Sequence, residues 1–210
     1  MSDPIGEAVE AALAGALIVL PTDTVYGIGT RPDDPHATAR LFEAKGRPRD
    51  LELPVLVATR GQAREIATFD ERAEALAGRF WPGALSFVLP RAERSRGWDL
   101  GEDRGTIAVR MPHHPLALAV LAGTGPLAVT SANRSGAAIT PNTCEELRAV
   151  FGDLVEVYLC GEEPLGDVPS TVVDLTGPEP LVLRAGAVSP GRLNEALDPT
   201  DATRGRQGPR

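Results

Sequence analysis

The apolar run Ala16-Leu17-Ile18-Val19-Leu20 leads directly into Pro21-Thr22-Asp23-Thr24-Val25-Tyr26-Gly27. A run that short and that apolar is a strand buried on both faces, which requires a sheet covered by other elements. The chain then breaks into small hydroxyl and acidic residues bounded by Pro and Gly. In open α/β sheets ligands collect where strands end and loops begin. Two comparable places follow, Lys45-Gly46-Arg47-Pro48 after a helical pattern and Thr130-Ser131-Ala132-Asn133 after another apolar run. Three polar loops, each ending an apolar element, are expected to share one site.

The rest of the chain supports a mixed architecture. Asp3-Pro4 and Asp34-Pro35 each open a helix, as cap followed by first-turn proline. Leu53 to Ala58, Ala84 to Leu89, Thr106 to Arg110, Leu127 to Thr130, Leu154 to Leu159, Thr171 to Leu175 and Leu181 to Leu183 read as strands. Gly61 to Ala67, Asp70 to Phe80, Pro115 to Leu121 and Asn142 to Phe151 read as helices. Strands and helices alternate early and strands crowd together late, giving an α/β fold of α+β-like mixed character. Residues 1–195 are expected to form one domain and 196–210, rich in Gly, Arg and Pro, a disordered tail. Arg91 to Gly105 reads as a long polar loop, with Arg91, Arg94 and Arg96 as solvated charges.

Composition removes several function classes. The net charge of −8 on 210 residues argues against whole-surface nucleic-acid binding. No apolar stretch approaches the roughly 20 residues that span a bilayer, and the N-terminus lacks a signal-peptide pattern, so cytoplasm is the default. Cys144 and Cys160 are too far apart for a C-x-x-C motif and read as separate buried thiols; no metal site is expected. There is no P-loop, no G-x-S-x-G elbow and no H-E-x-x-H spacing, and Gly27-Ile28-Gly29 reads as a turn.

What remains is cationic and hydroxylic. Lys45 and Arg47 follow a helix, where they can neutralise its C-terminal carbonyls or clamp an anion. Arg110 and Arg184 end apolar strands, as surface charges or as walls of an anion-attracting cleft. Ser131, Asn133 and Ser170 are turn residues or ligand contacts. The set as a whole describes an anionic ligand held by Arg, Lys and hydroxyls with no covalent nucleophile, which suits phosphoryl or nucleotidyl transfer.

Taken in order, PTDTVYGIG (21–29), EAKGRP (43–48), WPGALSFVL (81–89), TIAVRMPHHP (106–115), TSANRSG (130–136), STVVDLT (170–176) and LRAGAVS (183–189) resemble the YrdC-like family of threonylcarbamoyl-AMP synthases. The resemblance spans nearly all of residues 5 to 190. It implies a YrdC/RibB-like fold, a twisted mixed sheet with packed helices around a large concave, positively charged cavity. It implies synthesis of threonylcarbamoyl-AMP and pyrophosphate from L-threonine, bicarbonate or CO2, and ATP, with Mg²⁺ accompanying the triphosphate. The product passes to a complex that modifies tRNA, with at most a weak RNA contact by this chain. By motif, Thr24, Arg110 and Ser170 face threonine. Lys45 and Arg47 are the catalytic cations, and Arg47, Thr106, Ser131, Asn133 and Arg184 serve ATP.

Two positions depart from the family pattern: Leu56 where many relatives carry histidine, and Ala185 where many carry proline. Two other functions fit the same residues. One is a non-catalytic RNA- or nucleotide-binding module of this fold. The other is a carbamoyl-transfer relative, whose acylphosphatase-like and zinc-finger segments have no counterpart in this sequence.

Overall fold

The computed structural model describes residues 3–102, 105–137, 141–161, 165 and 168–197. Nine strands form one mixed sheet: β1 (Ile18–Leu20), β2 (Gly27–Thr30), β3 (Val55–Leu56), β4 (Leu85–Pro90), β5 (Thr106–Arg110), β6 (Leu127–Ser131), β7 (Val157–Tyr158), β8 (Thr171–Asp174) and β9 (Leu181–Arg184). Their spatial order is β7-β1-β2-β6-β3-β5-β4-β8-β9. The pairs β1–β7, β3–β5 and β4–β8 are parallel and the remaining pairs antiparallel.

Period-2 alternation divides the sheet into two faces. Val19, Ile28, Val55, Phe87, Val109, Ala128 and Val173 point into the larger core. Helices α2 (Pro35–Lys45), α3 (Arg60–Ile66), α4 (Glu71–Phe80), α6 (Cys144–Phe151) and α7 (Pro190–Leu197) contribute to that core. Ile18, Leu20, Leu56, Leu127 and Val129 point the other way, into a smaller core closed by α1 (Pro4–Leu13) and α5 (Pro115–Thr124). On this second face, Ser86 and Val88 of β4, Ala108 and Arg110 of β5, and Val172 of β8 line a cavity instead of a helix.

Local chemistry explains the helix boundaries. The Asp34 and Asp70 side chains accept from the N–H groups of His36 and Ala73, and Thr143 forms a capping box with Glu146. Each such cap contributes about 1 kcal/mol. Gly46 ends α2 at φ 58°, in the left-handed region that favours glycine. Buried Ala73, Leu76, Ala77 and Phe80 recur at helical spacing along α4, and burying each large side chain of that stripe stabilises the fold by about 1.5–3 kcal/mol.

The fold corrects several expectations. Gly27-Ile28-Gly29 is a strand, not a turn. A Cβ on Gly27 would lie 2.5 Å from Val129 Cγ1, and one on Gly29 2.6 Å from both Ala128 O and Val129 Cγ2. The glycines therefore let β6 approach closely. Of Leu53 to Ala58 only Val55–Leu56 joins the ladder, and of Leu154 to Leu159 only Val157–Tyr158. Helix α7 was not expected; it runs to Leu197, and the tail beyond lies outside the described residues.

Of the three arginines expected to be solvated, Arg94 and Arg96 are exposed and Arg91 is not. Arg91 is buried and its guanidinium donates to the carbonyls of Thr106 at 2.6 Å, Trp98 at 2.9 Å and Ser95 at 3.2 Å. Cys144 and Cys160 are not separate thiols but a disulfide, with Cα atoms 5.8 Å apart. Sixteen residues separate them in sequence, yet the start of α6 and the end of the β7 segment meet in space.

Candidate active site

The loop after β1 is held by its own hydroxyls. Thr22 Oγ1 donates to Val25 O at 2.6 Å, accepts from the N–H groups of Thr24 and Val25, and lies 3.0 Å from Thr24 Oγ1. Such side-chain-to-backbone bonds fix a turn without a helix or strand. Arg110, at the end of β5, reaches this loop from across the sheet. Its Nη1 donates to Thr24 Oγ1 at 2.9 Å, its Nη2 to Asp23 Oδ1 at 2.5 Å, and its Nε to Gly83 O at 2.9 Å. Asp23 Oδ1 also accepts the His113 N–H at 2.8 Å. Arg110 is therefore a buried, ion-paired strut rather than an exposed strand end. Burial lowers its pKa, and the Asp23 charge opposes that shift.

The second loop carries Lys45 and Arg47. Lys45 is buried, and its Nζ donates to Ser131 O at 2.5 Å and to Asn133 O. It thus ties the end of α2 to the loop after β6. Ser131 Oγ donates to Asn133 Oδ1 at 2.7 Å within the same loop. Desolvation, and secondarily the Arg47 charge, push the Lys45 pKa down to about 8. Arg47 donates to the carbonyls of Leu51 at 2.8 Å and Glu52 at 2.7 Å. Burial holds its pKa below the ordinary value, and the Arg184 charge adds to the effect. Two guanidiniums that feel each other across one space are a natural seat for an anion.

The third group joins β4, β8 and β9. Arg184 donates through Nε and Nη2 to Ser170 O at 3.1 and 2.9 Å, and through Nη2 to Ser170 Oγ at 3.0 Å. Ser170 Oγ lies 3.0 Å from Ser86 Oγ, and both serines are buried.

These groups surround one cavity of about 520 Å³. Thr24, Arg47, Arg110, Ser131, Asn133, Ser170 and Arg184 all line it; Lys45 and Thr106 do not. Lys45 stands behind the wall, and Thr106 lies two residues beyond Ala108 along β5. The sequence reading also missed Thr22, Ser86 and Glu52 among the lining residues, and Asp23 behind them. Ser86 had a legible signal: it is the sole hydroxyl in the apolar strand Ala84 to Leu89.

Several surface arginines are paired, whereas cations at the cavity are not all compensated. Arg31, Arg49, Arg64, Arg72, Arg94 and Arg96 pair with Asp33, Asp99, Glu74, Asp70, Glu65 and Glu93. Among the described residues, Lys45, Arg47 and Arg184 bond to carbonyls and hydroxyls, with no carboxylate at ion-pair distance. Two of these three, Arg47 and Arg184, line the cavity, so a chain of net charge −8 presents two cations without ion-pair partners to one concavity.

The profile of the Sua5/YciO/YrdC family, described as "Telomere recombination", matches residues 10–186. The chain belongs to the Sua5/YciO/YrdC family. A Mycobacterium tuberculosis protein provisionally named threonylcarbamoyl-AMP synthase is 46% identical, over 92% of this chain and 88% of its own length. The crystal structure of Pyrococcus abyssi Sua5 complexed with L-threonine superposes with a TM-score of 0.84 at 36% identity, covering 94% of this chain and 58% of that one. Escherichia coli YciO superposes with a TM-score of 0.81 at 30% identity, over 88% and 90% of the two chains. In this Sua5/YciO/YrdC member, Leu56 lies on the cavity wall beside Arg110, its partner in the β3–β5 ladder.

Proposed function

We propose that this chain is an L-threonylcarbamoyladenylate synthase. The observation that carries this reading is the convergence of Arg47 and Arg184, free of carboxylate partners among the described residues, with the hydroxyls of Thr24, Ser131 and Ser170 around one cavity. The names of its relatives support the same activity. The threonine amine adds to CO2 with loss of a proton, or to bicarbonate with loss of water, and the resulting carbamate oxygen attacks the α-phosphorus of ATP. A P–O bond forms to the carbamate, the bond to pyrophosphate breaks, and threonylcarbamoyl-AMP and pyrophosphate result.

Two anions must meet in that step, and their repulsion is the main obstacle. Arg47 and Arg184 offset it from the cavity wall. Lys45 acts one layer back, holding the Ser131–Asn133 loop through its carbonyls. Thr24 and Ser170 present hydroxyls to the amino acid, and Arg110 fixes Thr24. Mg²⁺ would enter as an ion carried in with the triphosphate, held mainly by phosphate oxygens and water.

The product is a mixed anhydride that a tRNA threonylcarbamoyl-transferase complex consumes, which places the enzyme in the cytoplasm. Among the described residues no helix is long and apolar enough to cross a membrane. The charges of Arg94 and Arg96 are matched by Glu65 and Glu93 and add nothing to an RNA contact.

Pyrophosphate release with ATP and bicarbonate, comparing L-threonine, L-serine and no amino acid, tests the assignment. Release is expected only with an amino acid present, and faster with threonine. Release independent of amino acid would overturn it.

A further inference from the structure

Ser86 has no role in the reading above, yet it is buried, faces the cavity and contacts the Ser170 hydroxyl. Its place follows from register. β4 and β8 run parallel, with Ser86 paired to Val172, and alternation turns Ser86 and Val88 toward the cavity while Leu85 and Phe87 enter the core. An apolar residue would satisfy the strand there equally well, so the hydroxyl calls for a partner.

Counting hydrogens shows what the pair can do. Two serine hydroxyls carry two hydrogens and several acceptor lone pairs. The 3.0 Å contact between Ser86 Oγ and Ser170 Oγ uses one hydrogen, whichever oxygen donates it. Arg184 Nη2 fills an acceptor position on Ser170 Oγ with a hydrogen of its own. Among the described residues, one hydroxyl hydrogen of the pair is therefore left over, on oxygens of residues that line the cavity, beside a guanidinium. A neutral donor next to a fixed cation suits an anionic oxygen.

We infer that Ser86 is a further substrate-positioning residue, and that Ser86, Ser170 and Arg184 together form the seat for the carboxylate of the amino acid. The inference rests on the proposed function and adds to it a subsite. Ser86 acts by accepting from Ser170 and donating its own hydrogen to the carboxylate. Replacing it with alanine frees the Ser170 hydroxyl to rotate and removes one member of the relay.

Calorimetry with L-threonine and with L-threoninamide, which lacks the carboxylate, separates this role from a structural one. The proteins compared are wild type, Ser86→Ala and Ser86→Thr, with thermal melts as the fold control. Ser86→Ala is expected to weaken threonine binding about ten-fold or more, the loss typical of a hydrogen bond to a charged group. Its affinity for threoninamide should stay within about two-fold of wild type, and Ser86→Thr, which keeps the hydroxyl, should restore threonine binding. In turnover, KM for threonine should rise in Ser86→Ala while KM for ATP holds.

Equal threonine affinity in wild type and Ser86→Ala overturns the inference and leaves the proposed function standing. Equal losses for threonine and threoninamide overturn the carboxylate assignment. No threonine binding by wild type overturns both the inference and the proposed function. If Ser86→Ala melts early, Ser86→Cys, close in volume but a poor donor, gives the same comparison.

Discussion

Lys45 is the only lysine among the 21 basic side chains of this sequence. It sits buried at the end of α2 with a pKa pushed down to about 8. Its charge is therefore lost gradually as pH rises through about 8, and ATP affinity should fall over the same range. Stability should move the other way. From about pH 8 to the ordinary value of 10.5 the unfolded chain holds a proton that the folded chain has shed, and stability contributed by this group rises with pH. Selective ¹³C labelling of lysine gives one signal to follow; a midpoint near the ordinary value would overturn the shift. For Arg47, alanine substitution should weaken ATP binding at least about ten-fold while leaving the melting temperature nearly unchanged. Arg184→Ala should weaken ATP and threonine binding together, because it also orients Ser170. The sequence made these cations visible through their place after a helix or strand. It could not separate Arg47 and Arg184, which face the cavity, from Lys45, which stands behind its wall, because that depends on the carbonyls of a loop nearly ninety residues away.

At the scale of elements, legibility followed how local the cause was. Helices opened by Asp-Pro or capped by Asp70 were readable because cap and stripe lie within one segment. β2 was not, since its glycines answer to Val129 on another strand. Helix α7 was not, since its packing comes from α4: Leu193 is buried, and Arg192 lies 5.2 Å from the Phe80 ring. Gly29→Ala should therefore destabilise the fold measurably in a chemical melt, by about 1–3 kcal/mol as for other overpacked sites. The disulfide belongs to the same class of non-local facts. It joins α6 to the segment leaving β7, where the Gly161 N–H donates to the hydroxyl of Tyr26 on the cavity wall. Closing a loop of this length stabilises a chain by about 3 kcal/mol, so dithiothreitol should lower the melting temperature and the Cys144→Ser variant should match the reduced protein. A disulfide is uncommon in a reducing cytoplasm. Thiol counting on protein purified with and without reductant checks the bond directly, and two reactive thiols under non-reducing, denaturing conditions would remove it.

For the molecule as a whole, the division of the sheet decides what kind of ligand it can hold. α1 and α5 cover the second face over β1, β6 and β3, while β5, β4 and β8 are left to floor a cavity. Hydroxyls alternate there with aliphatic residues, Ser86 with Val88 and Ser170 with Val172. Such a surface binds by fixed hydrogen bonds against an apolar wall, and Leu56 extends that wall beside Arg110. A site of this kind discriminates strongly against an analogue that leaves its buried polar groups unpaired, and weakly against one that lacks a methyl group. Serine keeps the β-hydroxyl and loses only a methyl, so its kcat/KM should trail that of threonine by about 10–200-fold. Valine keeps the shape and loses the hydroxyl, leaving the Thr22–Thr24 turn and Arg110 with an unmatched polar group, so it should fall further behind, toward ~10⁴-fold. Rates of ATP-dependent pyrophosphate release with the three amino acids give the ranking. Valine at or above serine would mean that the hydroxyl has no partner in the cavity, and that the aliphatic wall around Leu56 alone selects the substrate.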